Sequence, residues 1–403
     1  MHHVYTPFRT FMVAATALIV ACSGEPLAPG GPPPVTQLAN HASLEVAVST
    51  LDGLYTAIND PSNAGKHIEL AAGTYILDGS RPHGGRIELQ KDMTLSGQRG
   101  DKTAVVIEAA NLSTAALTDG TLVTGAVRMG RGSNTVEWLT IRNAAKGAGA
   151  ITTDLLLPGA TTVTIAHVIA TGNVHGFDIR NVGVAAAGRS LEVVLTDNEL
   201  AHNVTATGQG IRVANLPGAN GAHIHAVLSG NYVHGNIAGC LGANQGTLSA
   251  SVHIESTGDR FEENGNGVVL LGGLASATAV ATGNVTRFSA LLSRFEHNTG
   301  LLSAIFPARY GIGANGGVTT SAFSASGNRV ELDLHSIEAG DNGGPDVAAW
   351  GALSSTAVPA GSGNLVSVLL RGSSREATVN AINSDPVEPG STNQVTIVRA
   401  HSF

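Results

Sequence analysis

Lysine is nearly missing from this chain: only Lys66, Lys91, Lys102 and Lys146 occur, and the last 257 residues hold none. With a net charge of −8, the chain lacks the basic footprint of a nucleic-acid binder. Positive charge beyond Lys146 is carried by arginine, whose planar fork suits bidentate contacts to carboxylates. Cysteine occurs twice, at Cys22 and Cys240, too rarely for a disulfide framework. Aromatics make up only 4%, which argues against a stacking platform for neutral sugars. What is abundant is glycine, 51 residues, among stretches rich in Val, Ile, Leu, Ala, Thr, Ser and Asn. Short strands joined by tight turns have that composition. A hydrophobic share of 43% is enough for a continuous core and excludes global disorder.

The first forty residues read as targeting. Arg9 precedes an apolar run, 11–21, too short for a permanent bilayer span. Its end, Leu18-Ile19-Val20-Ala21-Cys22, resembles a bacterial lipobox. That resemblance implies a signal peptide over 1–21, lipidation of Cys22 and, with Ser23 rather than Asp next, an outer-membrane destination in the cell envelope. Residues 22–42 contain GEPLAPGGPPP and are expected to be an extended tether, leaving 43–403 as one domain. Cys240, in the small-residue context AGCLGA, reads as a buried small hydrophobe.

Internal repeats decide the fold. With Leu200, Val233, Phe261, Phe295 and Ile337 as anchors, thirteen flanking positions align without gaps, at spacings of 33, 28, 34 and 42 residues. Three residues after the anchor stand Asn203, Asn236, Asn264, Asn298 and Gly340. Seven before it stand Val193, Ala226, Ile254, Phe288 and Val330. Polar residues fill the intervening places, so the period is two and one face is buried. Gly or Ser with Asn also opens strands at Asn134, Asn284, Asn328, Asn364 and Asn393. Asparagine tolerates left-handed turns, and its amide can bond the same residue one coil away. Short strands with stacked turn asparagines predict a β-solenoid.

From about residue 53 onward the chain looks like the pectin-lyase-like family of right-handed parallel β-helices. Its opening, LYTAINDPSNAGKHIELAAGTYIL, is similar to the helix, strand and GTY turn that begin many members. The resemblance implies an all-β single-stranded helix, with a capping helix over 43–60 that uses Leu44, Val46, Val48, Leu51 and Leu54. It leaves function open, because this fold hosts lyases, hydrolases, epimerases and adhesins. Departures from the enzyme patterns are plain. There is no Asn-Thr-Asp, Asp-Asp and Gly-His-Gly series, no Asp-Pro-His-Glu, no Trp-x-Asp-His and no tight acidic triplet for calcium.

Chemistry in a β-helix lies in columns of outward side chains about 4.8 Å apart. Aligning Val127-Arg128-Met129, Ile179-Arg180-Asn181 and Ile211-Arg212-Val213 puts Arg180 and Arg212 on adjacent coils, with Arg128 further along and Asp178 and His175 beside them. Stacked like charges are unfavourable, so the column reads either as a uronate subsite with catalytic candidates Arg180, Arg212, Asp178 and His175, or as arginines paired to Asp178. A second column, eight residues before each anchor, runs Glu192, His225, His253, Arg287 and Arg329, with Glu255 nearby. His225, His253, Glu255 and Arg287, with Arg128, are the ligand-binding candidates. Imidazole beside carboxylate suits acid/base work or a metal ion, and equally a solvated, internally paired face. No residue is assigned to a metal and no cofactor is named. The sequence therefore predicts a monomeric envelope lipoprotein that binds an acidic polysaccharide and no nucleic acid. A polysaccharide lyase or glycoside hydrolase and a structural or adhesive solenoid stand as alternatives.

Overall fold

Leu191, Val193 and Leu195 turn inward from the strand Ser190–Thr196, while Glu192 and Val194 turn outward. The described sheet I strands of the following coils reuse that alternation. In the computed structural model, which describes residues 44–113, 125–129, 132–144, 149–153, 161–203, 208–276, 279–300, 309–319, 323–354, 361–372, 379–382 and 392–400, successive coils add their strands to three parallel sheets. Ser190–Thr196 lies in sheet I, Glu199–Ala201 in sheet II and Gln209–Asn215 in sheet III, and the next coil repeats the series with His223–Ser229, Tyr232–His234 and Ala238–Gln245. Among the described residues these sheets hold 12, 9 and 11 strands, paired parallel; sheet I keeps its register from coil to coil, and sheet III shifts once, between Ala243 and Gln245. This is the expected right-handed parallel β-helix with one short helix near its start.

Residues 42–403 form one compact unit. The expected signal peptide, Cys22 and the whole of the expected 22–42 tether lie outside the described residues, and no helix among the described residues is long and apolar enough to cross a membrane.

Asparagines hold the corners. In the corner after sheet II, each backbone N–H donates to the amide oxygen of the next coil's asparagine: Asn173 to Asn203, Asn203 to Asn236, Asn236 to Asn264, Asn264 to Asn298 and Asn298 to Asn342, at 2.9–3.1 Å. Ahead of sheet I, Asn284, Asn328, Asn364 and Asn393 are linked the same way. Residues before several of these asparagines take left-handed backbone, among them His202 (φ 54°) and Glu263 (φ 57°). Such bonds give buried backbone donors a partner where the chain turns and the sheet ladder is interrupted. Glycines 176, 210, 239 and 267 stack on one another, and a Cβ at Gly239 would sit 2.5 Å from the Gly267 carbonyl oxygen. Inside, Phe261 and Phe295 stack at 5.3 Å within a continuous apolar core.

Three expectations need correction. The partner of Phe295 is Ala339, not Ile337, so the last coil is shifted by two, Leu332 replaces Val330 in its inward place, and Asn342 rather than Gly340 continues the corner ladder. The cap is shorter than 43–60: Glu45–Val48 is a strand paired to His67–Leu70, because Val46 and Val48 alternate at period two. The helix begins at Leu51, where the Thr50 hydroxyl accepts from Gly53 N. The GTY segment is no turn but opens the strand Gly73–Ile76.

Candidate functional site

The expected arginine column falls on the outward positions of sheet III. Strand pairing sets Arg212 opposite Asp178, and Arg180 opposite Ala214. The true column runs Glu88, Arg128, Thr152, Asp178, Arg212, so no two arginines follow one another in it. The tripeptide alignment had slipped by two residues, from Asp178 to Arg180. Asp178, with no exposed side-chain surface, is held by Arg212 through Nε at 2.6 Å and Nη2 at 2.7 Å, and by Arg180 Nη1 at 3.2 Å. Those arginines are themselves only 18% and 9% exposed.

Burial alone would raise the Asp178 carboxyl, but the two guanidiniums hold it down at about 2. His175, buried beside them, is pushed down to about 3 by burial and by Arg212, and its Nδ1 accepts from Gln209 N. The anion these arginines hold is therefore the chain's own Asp178. Arg128 is likewise buried and pairs with Glu88.

The outward face of sheet I differs, because its groups are accessible. The in-register column is Glu192, His225, His253, Arg287, Glu331. Glu331 takes the place expected for Arg329, again by the two-residue slip. His225 Nδ1 donates to Glu192 Oε2 at 2.9 Å, and its Nε2 lies 3.2 Å from Glu255 Oε1. His253 Nε2 lies 3.6 Å from the same oxygen, and the two imidazoles stack at 5.0 Å. Burial holds His253 below the ordinary imidazole range, against the opposing pull of Glu255. One rung on, Arg287 Nε donates to Glu331 at 2.6 Å, and Arg329 bonds the other oxygen of the same carboxylate.

This face carries two open depressions that share Ser289 and Asp333. One, about 380 Å³, is lined by His253, Arg287, Arg329 and Glu331; the other, about 250 Å³, by Glu255, His335 and Arg371.

A third depression, about 450 Å³, lies on earlier coils and is lined by His67, Glu69, Arg99, Glu137, Trp138 and His167. Trp138 and His167 stack there at 3.9 Å. Both sit at the left-handed corner between sheets I and II (φ 56° and 55°). Low aromatic content therefore does not exclude a local ring stack in this chain. The stack's signal was the residue just after each sheet I strand, Trp138 in EWLT and His167 in AHVI, one coil apart.

No family model matches the chain, and no curated protein matches it. Among solved structures, it is similar to the A-module of mannuronan C-5 epimerase AlgE4 from Azotobacter vinelandii, with 13% identity over 89% of this chain and 95% of that one, TM-score 0.37. PfbA, a surface adhesin of Streptococcus pneumoniae, shows 10% identity over 87% and 85%, TM-score 0.34. The PL6 family alginate lyase AlyGC shows 11% identity over 84% and 53%, TM-score 0.25. The fold of this chain rests on its own strand pairings.

Proposed function

We propose that this chain is a cell-envelope lipoprotein, anchored through Cys22, that holds an acidic polysaccharide along the outward face of sheet I. One observation carries the reading: Arg287 and Arg329 share the single carboxylate of Glu331 beside an open depression. Two guanidiniums offer about ten N–H donors, and one carboxylate accepts about four. The trio keeps a net positive charge and spare donors in the geometry that takes carboxylates bidentately. Columns repeating every coil would meet successive residues of a polymer. The Asp178 cluster has no part in this reading, since its carboxylate is fully buried and its two arginines nearly so.

The test is binding of the full chain to a uronate polymer and to a neutral polymer of similar length, at low and physiological salt. Preference for the uronate, weakened by salt and cut about tenfold in Arg287→Ala/Arg329→Ala, is expected. Equal binding of both polymers, or an unaffected double variant, overturns the reading. Absorbance of unsaturated sugar ends in the same samples reports whether the bound polymer is also cleaved. Cys22→Ser is expected to release the chain from membranes.

A further inference from the structure

We propose that His225, His253 and Glu255 form a binding site for one divalent transition-metal ion of zinc-like character. The site stands independently of the polymer reading, because its ligands are the imidazoles and carboxylate on the rungs before the arginine trio.

Ligand separation is the first argument. A tetrahedral ion with bonds of about 2.0–2.1 Å spaces its ligand atoms about 3.3–3.4 Å apart. Glu255 Oε1 already lies 3.2 Å from His225 Nε2 and 3.6 Å from His253 Nε2, and all three ligand atoms lie within 4.8 Å of one another. A small turn of one half-exposed imidazole closes the remaining edge. The backbone need not move: His225 and His253 are register partners in neighbouring strands, and Glu255 follows His253 by two on the same face.

Orientation is the second. Metal-bound imidazoles characteristically give their other ring nitrogen to a carboxylate, which fixes the ring and its tautomer. Glu192 Oε2 accepts from His225 Nδ1 at 2.9 Å and turns Nε2 toward Glu255. Glu192 and Glu255 together also balance a dication. Arg287, the next residue in the column, is drawn away by Glu331. Other histidine–acid contacts join one imidazole to one carboxylate, as in His297–Asp341 at 3.6 Å and His167–Asp197 at 3.8 Å. Among the described residues no other three His, Cys, Asp or Glu side chains bring ligand atoms so close.

Donor chemistry selects the ion. Two nitrogens and one carboxylate suit zinc and its neighbours, whereas calcium and magnesium require shells of oxygen. Three protein ligands leave a fourth position for water or an oxyanion. That position opens beside the depression lined by His253, Arg287 and Glu331.

Equilibrium dialysis of the full chain against Zn²⁺, with no polymer present, tests the site. Visible absorption of the Co²⁺-loaded protein reports coordination number. One tightly held ion per chain and a four-coordinate cobalt spectrum are expected. His253→Gln and Glu255→Gln should abolish that ion, and Glu192→Gln should weaken it by about 10–100-fold. His297→Gln, which alters a distant histidine, should leave it unchanged. These side chains point outward, so an unaltered melting curve certifies each variant as folded. Absence of a stoichiometric ion, or equal retention in folded His253→Gln and Glu255→Gln, overturns the proposal.

Discussion

Replacing Asp259 with asparagine should stabilise the fold, and by more at neutral pH than at pH 4. Asp259 stands in the corner after sheet I, where the two preceding coils carry Asn198 and Asn231. Its Oδ1 accepts from Asn231 N at 2.7 Å and Nδ2 at 2.8 Å, and its Oδ2 from the Ser256 hydroxyl at 2.6 Å. Those bonds favour the charged carboxylate, but burial outweighs them and pushes the carboxyl from 3.8 up to about 6. Between these values the folded chain keeps a proton that the unfolded chain has released, so stability falls as pH rises through that window. At about 1.4 kcal/mol per pH unit, the loss reaches about 3 kcal/mol by pH 6 and grows no further.

Asparagine keeps the Oδ1 acceptor, offers an amide to Ser256, and has no proton to lose. With an unfolding entropy of about 2.1 cal/mol/K per residue over about 350 residues, 3 kcal/mol corresponds to about 4 °C in Tm. Thermal melts of both proteins, followed by circular dichroism from about pH 4 to about pH 7, measure the difference directly. A gap in Tm that stays flat, or that narrows as pH rises, would refute the reasoning.

Asp178→Asn leaves Arg180 and Arg212 without their counter-charge and should cost about 3–5 kcal/mol, read by urea unfolding. Because the folded carboxyl is held down at about 2, the stability it supplies is present above about pH 4 and lost as pH falls through about 2; the variant should therefore show the shallower acid transition. Asn236→Ala strips the acceptor from the Asn203 N–H and amide and the donor to Leu200 O. It should cost about 2–4 kcal/mol, checked by the same denaturation. Cys240 is fully buried and burial pushes its thiol up, so in a Cys22→Ser background a charged maleimide should label the chain only after denaturation.

Much of this architecture was legible because alternation and asparagine report different things. Val193, Ala226, Ile254 and Phe288 mark which face is inward, and the Asn203 to Asn298 series marks where each coil turns. Register is harder to read. A slip of one residue exposes the core and is caught at once, whereas a slip of two leaves inside and outside unchanged. Both errors were of that kind: Ile337 is as buried as Ala339, and Arg180 faces outward as Asp178 does. Asn342 could have fixed the first; nothing in the local pattern fixed the second. The approach of His225, His253 and Glu255 was readable because the register of those coils came out correctly. The Trp138–His167 stack was not, since it joins corner residues outside the aligned strands. The cap failed where Val46 and Val48 fit a strand and a helix face almost equally well.

The in-register columns have a consequence for how such a chain can vary. Each strand bonds only to the strands above and below it, so a coil gained or lost between two asparagine corners changes the length of the sheet I face by one fixed step, about 4.8 Å. Everything on either side keeps its neighbours. Span along a polymer is thus a quantity this architecture can adjust in whole numbers, separately from the side chains that do the gripping.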